Sequence, residues 1–256
     1  MADGTVDVEV ADRVAIITIN RPTKRNALNV ALLRELTTTV DRVDADDDVD
    51  VLILTGADPA FCAGLDLQEV GASGGAVVAG GETDSSSPWP ALTKPIIGAI
   101  NGAAITAGFE LALHCDFLVA SEQARFADTH LAVGVMPGGG LSALLPRRIG
   151  FPRAVELSLT GRFVGATEAL ELGLVNHVVQ HADLLATTRG IARDIAAKDQ
   201  RAVRALLASF HRIAGADGDE SALTIERETA RTWLRSFDHT EVENRREAIL
   251  THNRRQ

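Results

Sequence analysis

The residues best placed to do chemistry lie between Lys94 and Gly140, KPIIGAINGAAITAGFELALHCDFLVASEQARFADTHLAVGVMPGGG. A single carboxylate, Glu110, sits inside an otherwise apolar helical segment, and Ala103, Ala104, Thr106, Ala107 and Gly108 crowd its entrance. The first amides of a helix have no intrahelical partner and carry the positive end of its dipole. A ligand oxygen reaches them only past small side chains. The stretch therefore offers an oxygen-binding amide and, one turn along, a carboxylate. A second small-residue turn, Ala63-Gly64, follows an apolar strand. From the residues alone two readings of Glu110 stay open. It is a solvent-facing carboxylate on an amphipathic helix, or it is desolvated beside an apolar ligand, with its pKa raised toward the range useful for proton transfer.

Other constellations carry less. Gly138-Gly139-Gly140-Leu141-Ser142-Ala143 fits a loose G-x-G-x-x-A dinucleotide pattern, which needs an acidic residue ~20 positions further on. Glu156 comes too early, so the segment reads as a tight strand-to-helix turn. No G-x-S-x-G elbow is present. His177 and His181 are separated by Val178 and Val179 near a strand end, a poor helical face for a metal. Cys62 and Cys115 give neither a disulfide framework nor a metal spacing.

The elements that must position Glu110 follow from periodicity. Val6 to Val10 alternates with period two, Asp12-Arg13 makes a turn, and Val14 to Asn20 completes a hairpin. After the cationic loop Arg21 to Asn26, Leu28, Leu32, Leu36, Val40 and Val43 mark an amphipathic helix. Strands are expected at Val51 to Gly56, Pro95 to Ile100, Phe117 to Ser121, Phe126 to Val133 and Leu174 to Val179. Helices are expected from about Ala107 to His114, through Leu145, from Phe151 to Leu159 and around Thr167 to Leu170. Gly71 to Pro90, rich in Gly, Ser and Pro, reads as a mobile loop. From Ala182 helical patterns continue alone. The expectation is an α/β core over 1–181 with a helical region over 182–256 that packs on the core and on other subunits.

Composition narrows the function classes. The chain has 256 residues, 46% of them apolar and only 4% aromatic, so Ala, Val, Leu and Ile must fill the core. A net charge of -10 argues against non-specific nucleic-acid binding. It does not prevent a few cations from holding a phosphate. No long uncharged apolar run suggests a membrane span, and the acidic start lacks a signal region. The expected compartment is the cytoplasm.

Taken together, RPTKRNALN (21–29), FCAGLDL (61–67), KPIIGAINGAAITAGFELALHCDFLVAS (94–121), RFADTHLAVGVMPGGG (125–140), LTG (159–161) and ATEALELGLVNHVV (166–179) resemble the crotonase superfamily, specifically its enoyl-CoA hydratase-like proteins. The resemblance implies a spiral of repeated ββα units, a homotrimer or dimer of trimers, and acyl-CoA thioester substrates. Coenzyme A is then part of the substrate, and no separate cofactor or metal is implied. It places the oxyanion hole, which would hold an enolate, at the backbone amides of Leu65 and Ala107. It places the acid/base at Glu110 and contacts to CoA or the acyl group at Lys24, Arg25, Ala63, Asp66 and Leu67. One position departs: where typical hydratases carry a second glutamate, this chain has His130. An imidazole can take over proton transfer, or His130 is a non-catalytic residue bonded to Asp128 or Asp116. The implied activity is enoyl-CoA hydration. An enoyl-CoA double-bond isomerase and a non-catalytic acyl-CoA-binding protein are the alternatives.

Overall fold

The computed structural model describes residues 5–66, 68 and 87–235. Leu67 and most of the expected loop at 71–90 lie outside them, as do residues 236–256. Two compact units divide after Gln200. The expected boundary at 181/182 precedes a helix that belongs to the first unit.

The first unit is built from two sheets. β1 (Thr5–Ala11) and β2 (Val14–Asn20) form the expected hairpin, with both turn residues, Asp12 and Arg13, at positive φ. The larger sheet continues with β3 (Val51–Gly56), β5 (Ile96–Ile100), β7 (Phe117–Ser121) and β10 (His177–Val179), each parallel to its neighbour. The smaller sheet holds β4 (Ala60–Cys62), β6 (Ala103–Ile105), β8 (Arg125–Ala127) and β9 (Val164–Gly165). Thus β3/β4, β5/β6 and β7/β8 each turn a corner from one sheet into the other, which is the ββα spiral. The corners demand glycine. A Cβ on Gly56 would lie 2.3 Å from the carbonyl oxygens of Ala60 and Phe61, and one on Gly102 2.4 Å from Pro59 O.

Side chains lock successive turns together. α1 (Val30–Asp44) is capped by Asn29, whose side chain accepts from Leu32 N–H, and buries Leu32, Leu36, Val40 and Val43 as their spacing predicts. Lys94 is buried, and its ammonium donates to the carbonyls of Val43 and Asp46 past the end of that helix, where a cation suits the dipole. α2 (Ala107–Leu113) follows β6; α3 (Leu141–Ile149) and α4 (Phe151–Thr160) follow the glycine turn. The helix expected to stop at Leu145 runs on through Pro146, whose missing N–H would have met the carbonyl of exposed Ser142. Gly161, at φ 64°, ends α4 as expected. α5 (Ala166–Glu171) gives way to Leu174 and Val175, whose amides bond back to Ala169 O, so the last strand starts only at His177. α6 (Leu184–Ala196) covers the larger sheet, packing Leu184 and Ala192 against Val14, Ile53 and Val119. Cys62 and Cys115 are free, buried thiols.

The second unit contains nearly all of α7 (Gln200–Ala214) and α8 (Asp219–Arg235). Arg212 pairs with Glu228 at 3.3 Å, and Arg201 stands over the Trp233 ring at 5.6 Å. Among the described residues no helix is long and apolar enough to cross a membrane.

The loop after β2 is fastened by Asn26. Its amide nitrogen lies 2.7 Å from Ala57 O and 2.6 Å from Ala60 O, and its oxygen accepts Arg21 N–H. Asn also tolerates the φ of 58° found there. Asn26→Ala should therefore lower stability by about 3 kcal/mol, since it strands buried carbonyls and strains the backbone. A urea midpoint matching the parent would show that the corner does not need this clamp.

Candidate active site

α2 has only seven residues, and both of its ends are fixed from outside. At its C-terminus Arg148 donates to the carbonyl oxygens of Leu113, Cys115 and Asp116, completing groups the helix leaves unpaired. At its N-terminus the fit is closer still: a Cβ on Gly108 would sit 2.1 Å from Cys62 O. A Cβ on Gly64, at φ 100°, would lie 3.8 Å from Ala107 N. Thr106 enters the helix at φ 54°, ψ -115°, a region hostile to a β-branched residue. Its hydroxyl is 2.5 Å from that of Thr129, which anchors the strained residue.

This contact brings the two expected amides together. Leu28 N–H donates to Gly64 O, and Asp66 N–H to Leu28 O, as one parallel bridge. Amides alternate in direction along an extended chain, so Leu65 N–H between them points to the opposite side. Ala107 N–H, first in its helix, has no intrahelical acceptor. Two backbone donors thus flank the seam between the 62–66 turn and α2, a geometry suited to a developing oxyanion.

Glu110 lies one turn along α2, 7% exposed, which excludes the solvent-facing reading. Its Oε1 accepts Gly139 N–H at 2.8 Å and Leu141 N–H at 3.3 Å. The glycine-rich turn therefore serves a carboxylate of the protein itself. A Cβ on Gly139 would come within 2.7 Å of Glu110 Oε2. Oε2 faces His130 Nε2 at 3.9 Å, longer than a hydrogen bond. Burial raises the Glu110 pKa above its ordinary value; nearby His130 and the two amides offset this only in part, and Asp128 adds to the rise.

His130 is buried and held by Asp128, whose Oδ1 is 2.6 Å from its Nδ1 and 3.2 Å from its backbone nitrogen. This two-residue turn explains why the strand expected over Phe126 to Val133 stops at Ala127 and gives way to a 3-10 turn at Leu131–Val133. Burial works against the Asp128 charge. Hydrogen bonds from the His130 ring, Ser158 and the His130 amide prevail and hold its pKa below the usual carboxylate value. With Nδ1 taken up by Asp128, Nε2 is the ring nitrogen that faces Glu110. Asp128 was legible only as one of two acids near His130, and the partnership of Glu110 with Gly139 and Leu141 had no local signal.

The expected CoA-contacting residues divide. Lys24 and Arg25 are exposed on the loop beside the 62–66 turn, where Arg25 O accepts Ala63 N–H at 3.0 Å and Lys24 Nζ reaches Gln68 Oε1 at 2.9 Å. Asp66 is buried and ion-paired with Arg21 at 2.9 Å, so its carboxylate fastens the loop. His181 bridges Ser121 and Asp58, each at 3.1 Å, away from any metal-ligand grouping among the described residues.

Comparison with known proteins identifies relatives over nearly the whole chain. A model of the enoyl-CoA hydratase/isomerase family matches residues 9–248. The chain is 41% identical over 240 residues to "Probable enoyl-CoA hydratase 1, peroxisomal" of Arabidopsis thaliana, covering 92% of this chain and 89% of that protein. The crystal structure of an enoyl-CoA hydratase from Mycobacterium smegmatis is 50% identical, with a TM-score of 0.75 and coverage of 91% of this chain and 99% of that one. An enoyl-CoA hydratase structure from Bacillus anthracis superposes with a TM-score of 0.86 at 33% identity, covering 95% and 96%.

Gly139→Ala should expel the Glu110 carboxylate from its two amides, because the new methyl group occupies its place. A crystal structure of the variant with Glu110 still bonded to both amides would show that the turn yields instead.

Proposed function

The chain belongs to the enoyl-CoA hydratase/isomerase family, and we propose that it adds water across the α,β double bond of an enoyl-CoA thioester. The observation that carries this is the buried facing pair, Glu110 Oε2 and His130 Nε2 at 3.9 Å, beside the two amide donors. One oxygen about 2.8 Å from each can bridge them, so the pair can seat the attacking water.

The thioester oxygen lies between the Leu65 and Ala107 amides, which draw electron density from the β-carbon. Water attacks there, and His130 Nε2 takes its proton. The electron pair moves through the α-carbon to the thioester oxygen as an enolate held by the two amides. Glu110 returns a proton to the α-carbon from Oε2, the oxygen its backbone partners leave open. Its raised pKa keeps the protonated form within reach. Dehydration runs the same transfers backward. Lys24 and Arg25 meet the CoA phosphates from the exposed loop, and Ala63 borders the adenine end. The exposed apolar residues Phe151, Leu159 and Phe163 suit burial in a homotrimer or dimer of trimers, working in the cytoplasm.

With one carboxylate in the facing pair, a double-bond isomerase in which Glu110 carries both transfers is the second reading. A non-catalytic binder is the third. Loss of the enoyl absorbance of crotonyl-CoA separates hydration from both. Glu110→Gln should cut this turnover by ~100-fold or more, and His130→Ala should also lower it. Full activity in Glu110→Gln would overturn the mechanism. The pair works with one proton shared between them, so activity should fall on acidification along a limb lying above the ordinary glutamate pKa of about 4.3. A limb at or below that value contradicts the buried-acid role. Light scattering should give a mass that is a multiple of three protomers, and a stable monomer would remove the trimer.

A further inference from the structure

His114 lies four residues after Glu110, at the C-terminal end of α2, and takes no part in the proton transfers above. Its Nε2 is 2.7 Å from Gly139 O. A ring nitrogen at that distance from a carbonyl must carry the proton. Burial pushes the His114 pKa down, and Arg148 adds to the effect against the Gly139 bond, so the ring is neutral with its one proton on Nε2. The other ring face is fixed: Trp89, itself buried, meets His114 edge-on at 6.1 Å and 72°. A Cβ on Gly140 would lie 3.0 Å from Nε2, so the imidazole fills the turn.

The placement of this bond along the chain gives it meaning. Glu110 Oε1 accepts the N–H of the peptide joining 138 to 139 and that of the peptide joining 140 to 141. His114 holds the carbonyl of the peptide between them. Three consecutive peptide planes are therefore set by two side chains one turn apart on the same helix. We propose that His114 is a positioning residue for the proton-transfer step: through Gly139 it aims both amides at Glu110 Oε1 and so keeps Oε2 turned to His130. This rests on the reading that Glu110 moves the proton.

Without the His114 donor the middle peptide is free to rotate. The two amides then drift from the carboxylate, which loses hydrogen bonds that favour its charged form. Among the described residues, the titratable groups facing Glu110 are His130 and Asp128, both from the segment that follows β8; Arg148 of α3 is the charge near His114. None of these is altered by substitution at 114.

His114→Phe keeps a ring against Trp89 and removes the donor, whereas His114→Gln restores an N–H donor. The readout is the infrared absorption of the protonated carboxyl that disappears in Glu110→Gln, followed against pH in the full chain. Its midpoint should rise in His114→Phe and return to the parent value in His114→Gln. Crotonyl-CoA turnover should fall about 10-fold in His114→Phe with little change in KM, the order expected of a misplaced reacting group. His114→Met, also lacking a donor, takes its place should the phenylalanine variant fail to fold. A midpoint equal to the parent in the donorless variant, or displaced equally in both variants, overturns the proposal. The infrared signal reports the carboxyl whether or not substrate turns over. Failure of the hydratase reading would appear separately, as an unchanged enoyl absorbance of crotonyl-CoA with the parent protein.

Discussion

Everything at the site depends on how near the first turn of α2 comes to the chain leaving β4. Gly108 allows backbone to touch backbone at Cys62, and the two amide donors meet only because nothing larger stands there. That approach costs a strained residue at Thr106, of order 1–3 kcal/mol. The Thr129 hydroxyl, the Arg148 cap and the buried faces of Phe109, Leu111 and Ala112 offset it. A seven-residue helix would not persist in water by itself. Here its ends are supplied with partners by three other segments.

The site uses backbone where many proteins would use side chains. The donors proposed for the substrate oxygen are peptide N–H groups, and so are the two that steady Glu110. Peptide donors need no rotamer to be frozen and cannot change charge, so their aim does not depend on the protonation of neighbouring side chains. The ionisable side chains brought together here are Glu110 and the Asp128–His130 pair. Each is desolvated, and each is held on one edge so that the other edge stays open.

The hairpin, the longer strands of the large sheet and α1 were legible because their residues alternate, run apolar or recur over five or more positions. Of the smaller sheet only β8 was anticipated, because strands of two or three residues, such as Val164–Gly165, are too short to show a period. Glu110 stood out as a lone carboxylate among apolar neighbours, and Leu65 and Ala107 came through family resemblance. What stayed hidden were contacts made across the fold. Gly139 reaches Glu110 over 29 positions, and the same turn takes its bond from His114 over 25. A run of three glycines says that backbone must come close to something, but not to what.

The two thiols acquire significance beside a thioester-handling site. Cys62 lends its carbonyl to the contact with Gly108, so its sulfur lies within a few bonds of the oxygen-binding seam. A thiolate there could take the acyl group and leave the protein covalently blocked. Burial pushes the Cys62 thiol up to about 12, and Cys115 higher still, so neither supplies a nucleophilic sulfur near neutral pH. The same tight packing that sets the 62–66 turn against α2 thus also keeps the Cys62 thiol protonated near neutral pH, which would spare it from acylation by a thioester bound at the proposed site.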